Sequence, residues 1–251
     1  MALCAGTGCI QGQPNTDGAG GTAGGGGDQE AAAPPQSIEL AELRSLDVQS
    51  NLGSVVVRGL ANAESISIRA VQAGEGELGE ALTSGYSVQI YDSRVVVVVG
   101  EAADLEGPGI DLFVDAPDFL ETLVRADQGS IEVESMQGGG HLETGTGAVV
   151  GTGLVGDFSI TVDTGEISVA ASLLLWGGID ATTGEGPISL SIPASTSAQV
   201  EASTSAGSVS FVDLDFVGAN SGAQASGLLG AGEGSIELLS GLGDITLVGV
   251  P

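Results

Sequence analysis

The chain has 251 residues and a formal net charge of −28, from 33 Asp and Glu against 5 arginines, with no lysine. That balance excludes nucleic acid as a direct partner, because backbone phosphates require a basic stripe, and it argues against docking on anionic lipid through a basic face. A single histidine excludes His-cluster metal sites, and 43 glycines beside only 3% aromatic residues point to many short strands and turns.

Residues 1–9 read MALCAGTGC, and Gly6-Thr7-Gly8-Cys9 resembles the small-residue run before the lipidated cysteine of a lipoprotein signal. Gly6 stands where a leucine is usual, and the reading would place the true start upstream, with Met1 inside the signal's apolar core. Residues 10–36 carry eight glycines and close on Pro34-Pro35. A segment with so few large apolar side chains cannot offset its chain entropy by burial, so a disordered tether is expected, with a mean span of about 30 Å. Cys4 and Cys9 both precede the tether, so no disulfide is expected in the folded part, and Cys9 is the expected lipid-attachment site.

Residues 37–251 form the expected folded domain, less regular over 37–125 and tightly repetitive over 126–251. Upstream, strands are predicted at Ile38–Leu43, Leu46–Gln49, Ser54–Arg58, Ser65–Val71, Tyr86–Tyr91, Arg94–Val99 and Ile110–Val114. Residues 74–85 and 101–109 read as exposed connections. Pro117 marks the end of a strand, since proline cannot serve a central ladder.

From there a unit of glycine, a small or acidic residue and alternating aliphatics recurs. It begins at Gly53 and returns at Gly129, Gly147, Gly165, Gly186, Gly207, Gly234 and Gly243, with steps from Gly129 of 18, 18, 21, 21, 27 and 9 residues. Alternation puts Ile131, Val133, Ile160, Ile167, Ile188, Val209, Phe211, Ile236 and Ile245 on one face, and Glu132, Glu134, Ser159, Ser168, Ser189 and Glu237 on the other. A unit that is dry on one side cannot bury that side alone, so neighbours must stack. The expected fold is all-β, a repetitive β-solenoid (β-helix-like) of about six coils with glycines at the corners. An antiparallel sandwich is the alternative.

The sequences SLDVQSNLGSVVVRG at 45–59 and IDLFVDAPDFLETLVRADQGSIEVESMQG at 110–138, followed by the GSI/GEI repeats, resemble the bacterial β-strand-repeat adhesins. That family has no known molecular function and is often secreted or lipid-anchored. The resemblance covers residues 37–251 and implies a β-solenoid-like fold. It supplies no catalytic residue, and "adhesin" is there a label by analogy.

Candidate chemistry is sparse. Asp213 and Asp215 are expected to share a solvent face, as are Glu132 and Glu134. These four are the weak candidates for a divalent-ion or ligand face, read otherwise as a solvated acidic surface. As an acid/base pair they would point to a polysaccharide-acting enzyme. Gly241-Leu242-Gly243-Asp244 partly echoes a calcium-binding nonapeptide, but one copy offers too few oxygen ligands. His141 is expected outward beside Glu143. Trp176, after Leu173-Leu174-Leu175, is read as a core plug or coil corner rather than a sugar platform.

The expectation is therefore a non-enzymatic envelope lipoprotein without cofactor, surface-exposed or periplasmic, acting as an adhesin-like or scaffold module. It would meet the membrane through its N-terminal lipid and a surface polysaccharide or protein through a rigid ladder face. A self-assembling structural rod and the polysaccharide-acting enzyme are the rivals.

Overall fold

A computed structural model describes residues 36–39, 43–73, 86–99 and 109–251. The expected lipid site Cys9, nearly all of the 10–36 tether, and the connections at 74–85 and 101–108 lie outside the described residues. No helix among the described residues is long and apolar enough to cross a membrane.

The described chain is all β. In order the strands are β1 (Gln36–Glu39), β2 (Ser45–Leu52), β3 (Val55–Leu60), β4 (Ser65–Gln72), β5 (Tyr86–Tyr91), β6 (Arg94–Val99) and β7 (Ile110–Pro117). There follow β8 (Glu121–Gln128), β9 (Ile131–Glu134), β10 (Gly140–Thr146), β11 (Val149–Val155), β12 (Phe158–Thr164), β13 (Ile167–Ser172), β14 (Gly178–Glu185) and β15 (Ile188–Pro193). The last six are β16 (Ala198–Ala206), β17 (Val209–Val212), β18 (Phe216–Asn220), β19 (Gln224–Leu229), β20 (Gly234–Leu242) and β21 (Ile245–Val250).

They form two sheets. Sheet A runs β1-β4-β7-β3-β9-β11-β13-β15-β21-β17, and sheet B runs β18-β19-β16-β20-β14-β12-β10-β8-β2-β6-β5. Within the stack the neighbours pair in parallel, as β10 does with β8 and β12. Each coil contributes one strand to each sheet. This is a β-solenoid; the parallel pairing sets aside the antiparallel sandwich. Antiparallel strands close the ends: β4 and β5 on one side, β18 and β19 on the other. Eleven strands at about 4.8 Å make sheet B about 48 Å across.

Alternation places the side chains as expected. Ile131, Ile160, Ile167, Ile188, Ile236 and Ile245 are buried between the sheets, while Ser159 and Glu237 face solvent. The corner glycines stack directly on one another. A Cβ on Gly165 would lie 1.9 Å from the Gly147 carbonyl oxygen, and one on Gly186 would lie 1.9 Å from that of Gly165. Both also have φ near +150° (152° and 148°), a backbone conformation open to glycine alone.

The order of the last copies differs from the expectation. Gly243 packs on Gly186, and Gly207 packs on Gly243. The β20–β21 coil is therefore wedged between β14–β15 and β16–β17, although it comes later in sequence than both. The copy at Gly234 is not a coil of its own. It opens β20 in sheet B, and the nine-residue step to Gly243 is one strand plus one corner. Leu173–Trp176 forms no strand, and Trp176 is not a core plug: it is 75% exposed at a corner, with φ +66°.

Candidate functional site

The outer faces carry the exposed polar side chains. Sheet A brings Glu132 and Glu134 to its outer face, both half-buried, and pairs Glu134 with Arg58 on the neighbouring β3. The Arg58 Nε–Glu134 Oε2 distance is 2.9 Å. β9 lies midway across that sheet, and Asp213 and Asp215 follow β17, its edge strand. β17 ends at Val212, Asp213 turns the chain with φ +54°, and both carboxylates are exposed in the turn before β18. They therefore do not share the face of one strand. The chain needs this turn because Phe211 and Phe216 fold over to stack at 4.0 Å, closing that end of the core. Five strand spacings, about 24 Å, separate β9 from β17, so the two acidic pairs form no common site.

Sheet B brings together carboxylates that are far apart in sequence. Asp180 on β14 stands opposite Glu237 on β20, and Glu237 opposite Glu201 on β16. All three are exposed. The same row continues through Ser159 on β12 and His141 on β10. Together with Glu121, Asp157, Gln199 and Ser235 they line a shallow, open depression of about 590 Å³. Its floor is regular ladder backbone, so the row is as flat and stiff as the sheet.

His141 lies outward, its Nε2 3.4 Å from the Glu143 carboxylate, which also meets Arg125 at 3.2 Å. Asp157 accepts the Gly178 N–H at 2.6 Å and so braces the adjacent corner. Asp244, in the calcium-like stretch, accepts both the Ser208 N–H at 2.8 Å and the Ser208 hydroxyl at 2.9 Å, which ties one corner to the next. Among the described residues no group of three or more His, Cys, Asp or Glu side chains is arranged to hold a metal ion.

Chemically, the depression offers side-by-side hydrogen-bond acceptors in open solvent. No wall encloses a substrate, and the acidic pairs named from sequence lie elsewhere on the molecule. This arrangement suits repeated weak contact along a surface rather than desolvation of a reacting group. The row was partly visible in sequence: Glu237 and Glu201 fall at outward positions of alternating strands. Their adjacency to Asp180 requires the wedged coil, which periodicity does not reveal.

No protein of curated function matches the chain. Among solved structures, one named "putative cell adhesion protein" from Clostridium sporogenes is 13% identical, with a TM-score of 0.49 over 88% of this chain and 100% of that one. One named "putative adhesin" from Bacteroides fragilis is 10% identical, with a TM-score of 0.42 over 88% and 97%. A third, named "putative lipid binding protein", from Parabacteroides distasonis, is 9% identical with a TM-score of 0.30 over 88% and 98%. A family model matches residues 37–248, and the chain belongs to the Toastrack DUF4097 family.

Proposed function

We propose that the protein is a non-catalytic, adhesin-like module of the cell envelope, tethered through Cys9 and the 10–36 segment, that binds a hydroxyl-rich surface polysaccharide along the outer face of sheet B. The observation that supports this reading is the exposed row Asp180–Glu237–Glu201, held at strand spacing on a rigid ladder. Carboxylates repeated at a fixed interval accept hydrogen bonds from repeated sugar hydroxyls, directly or through bridging cations, and weak contacts add through multivalency. The same geometry accommodates an extended protein partner.

Two measurements test the proposal. The intact mass of the native protein from its host's membrane fraction reports the anchor: a chain beginning at Cys9 and carrying acyl groups is expected, and an unmodified soluble chain overturns the tether. Retention of the full chain on immobilised host-surface polysaccharide reports the face. The variant Asp180→Asn/Glu201→Gln/Glu237→Gln is expected to lose most of that retention, and equal retention overturns the role of sheet B.

The rod reading has one observation in its favour, the open outer edge of β18, which carries no charged side chain. Against it, β17 at the same end of sheet A is covered. Its Val209 N–H donates to Gly222, and its Val209 carbonyl accepts from Asn220 Nδ2. Growth of light scattering with concentration would favour the rod.

A further inference from the structure

The corner that carries Trp176 is longer and more apolar than the fold requires. Val149 and Phe158 occupy the same places one coil earlier as Ile167 and Ile179. Nine positions separate the first pair and twelve the second, and β11 spends one of its nine on a bulge, so this corner, between Ser172 and Ile179, holds four residues more than its neighbour, which turns through Gly156-Asp157. The next corner in sequence, from Ile188 to Val200, spans as many residues while stepping over β20 to reach β16, and it is polar, Ala194-Ser195-Thr196-Ser197. Length alone therefore does not demand apolar residues. Here the chain places Leu174, Leu175 and Trp176 at the tip, 56%, 68% and 75% exposed. The Gly177 N–H donates to the Leu174 carbonyl at 2.8 Å and makes a tight turn whose third residue, Trp176, holds φ +66°, where Gly or Asn is the default. The chain accepts that conformation and points the only tryptophan of the protein into water.

A second observation is independent of the first. Phe119, 58% exposed, caps the corner before β8, and Tyr91, 57% exposed, sits at the turn before β6. All three corners lie on the same long edge of the solenoid, opposite the glycine spine. In the strand order β6-β2-β8-β10-β12-β14 the tips are two and three spacings apart, about 10 and 14 Å. The edge thus presents a line of separate aromatic tips over roughly 25 Å, with the short corners of β10 and β12 between the last two.

The geometry points to docking of this edge on a lipid bilayer, with Leu174, Leu175 and Trp176 entering the interface and Phe119 and Tyr91 setting the edge along it. Tryptophan, tyrosine and leucine are the side chains that partition to that depth. Separate convex tips in a line fit a plane that yields around each of them. A second copy of the chain would meet this edge only through separate tips, whereas a stable interface takes roughly 800 Å² of continuous surface per partner. Asp92, Asp118, Glu121 and Asp157 outnumber Arg44 and Arg94 near this edge, so the bilayer surface is zwitterionic rather than anionic. A few interfacial side chains bind only marginally alone, and an acyl tether would supply the second signal that stable attachment takes. The inference deepens the envelope reading, but it does not depend on acylation at Cys9.

The test uses the full chain without acylation and phosphatidylcholine vesicles. Trp176 is the sole tryptophan, so its emission reports this corner alone. A blue shift that saturates with lipid, and quenching by brominated phosphatidylcholine, are expected; anionic lipid weakens both, and added salt restores them. In vesicle co-flotation, Leu174→Ser/Leu175→Thr/Trp176→Ser, which copies the polar corner next in sequence, is expected to bind at least tenfold less while keeping the wild-type melting temperature. Phe119→Ser is expected to bind a few-fold less. Emission unchanged at millimolar lipid overturns the inference. So does a blue shift that follows protein concentration without lipid, which would mark self-association. Neither result bears on polysaccharide retention by sheet B.

Discussion

The hydroxyl of Thr144 donates to the carbonyl oxygen of Gly129, one coil away, at 2.9 Å. The arrangement repeats through the stack: Thr183 reaches Gly165 at 3.1 Å, Ser240 reaches Gly186 at 3.0 Å and Thr204 reaches Gly243 at 2.8 Å. These side chains are buried in one row of sheet B, three residues before each corner glycine. The row is thus a series of clamps between coils. It is interrupted by Val162 and Ala126, which occupy the same register without a hydroxyl.

Thr183→Val keeps the shape and removes the donor, leaving the half-buried Gly165 carbonyl without this partner. A loss of about 1–3 kcal/mol in urea unfolding is expected. Val162→Thr is the converse, supplying a donor toward Gly147, and is expected to gain about 1 kcal/mol. Equal stability of all three proteins would show that the clamps are idle.

Gly165→Ala forces a Cβ against the Gly147 carbonyl at a forbidden φ, so the coils must part. The expected cost is on the order of 3 kcal/mol or more, read as a large fall in melting temperature or loss of soluble protein. Gly153→Ala is the control. It too has positive φ (63°), but its nearest neighbour is 3.5 Å away, and only about 1–2 kcal/mol is expected.

The row Asp180–Glu237–Glu201 sets like charges directly opposite one another, which opposes pairing of β14, β20 and β16. Melting temperature should rise with sodium chloride. Glu237→Gln, which removes the middle charge, should melt higher at low salt and show a shallower salt dependence.

Burial pushes the Tyr86 phenol above its ordinary value of 10.0, against a hydrogen bond with Gln36 that pulls it down. A group whose pKa is raised by folding holds its proton longer in the native state. Its contribution is therefore complete below pH 10 and lost as pH climbs through the higher folded value. Alkaline unfolding is expected to begin at the β5 edge, and Tyr86→Phe should flatten the decline in stability above pH 10.

Much of the fold was readable because its signals are local. Ile167 and Val169 alternate with Ser168 and Ala170 whatever surrounds them, and Gly165 announces a corner by its own spacing. The strands at Tyr86–Tyr91 and Arg94–Val99 lie where alternation puts them. What escaped depends on adjacency. Gly234 has the sequence of a coil start, but it enters sheet B because β20 fills a gap between β14 and β16. Asp213 looked like a partner of Asp215 on one strand, yet the stacking of Phe211 on Phe216 requires a turn between them. Of the two expectations for Trp176, the coil corner holds and the core plug does not, because residues added at the tip of a corner have no hole to fill. The Thr and Ser clamps did leave a signal, a hydroxyl three positions before Gly147, Gly186, Gly207 and Gly243; Ser50 holds the same place before Gly53 but donates to the carbonyl of its own corner. Only the stacking gives that pattern a meaning.

The wedged coil changes how this stack can be made and unmade. In a solenoid whose coils follow sequence order, each new turn can settle on the one before as the chain emerges. Here β16 and β17 have no lasting seat on β14 and β15, because that place belongs to β20 and β21. The outermost turn must wait for a later segment to slide beneath it. Deleting residues 234–250 would therefore take a slice from the interior of the stack rather than shorten its end. The C-terminal end of the stack is therefore complete only once β20 and β21 are seated within it.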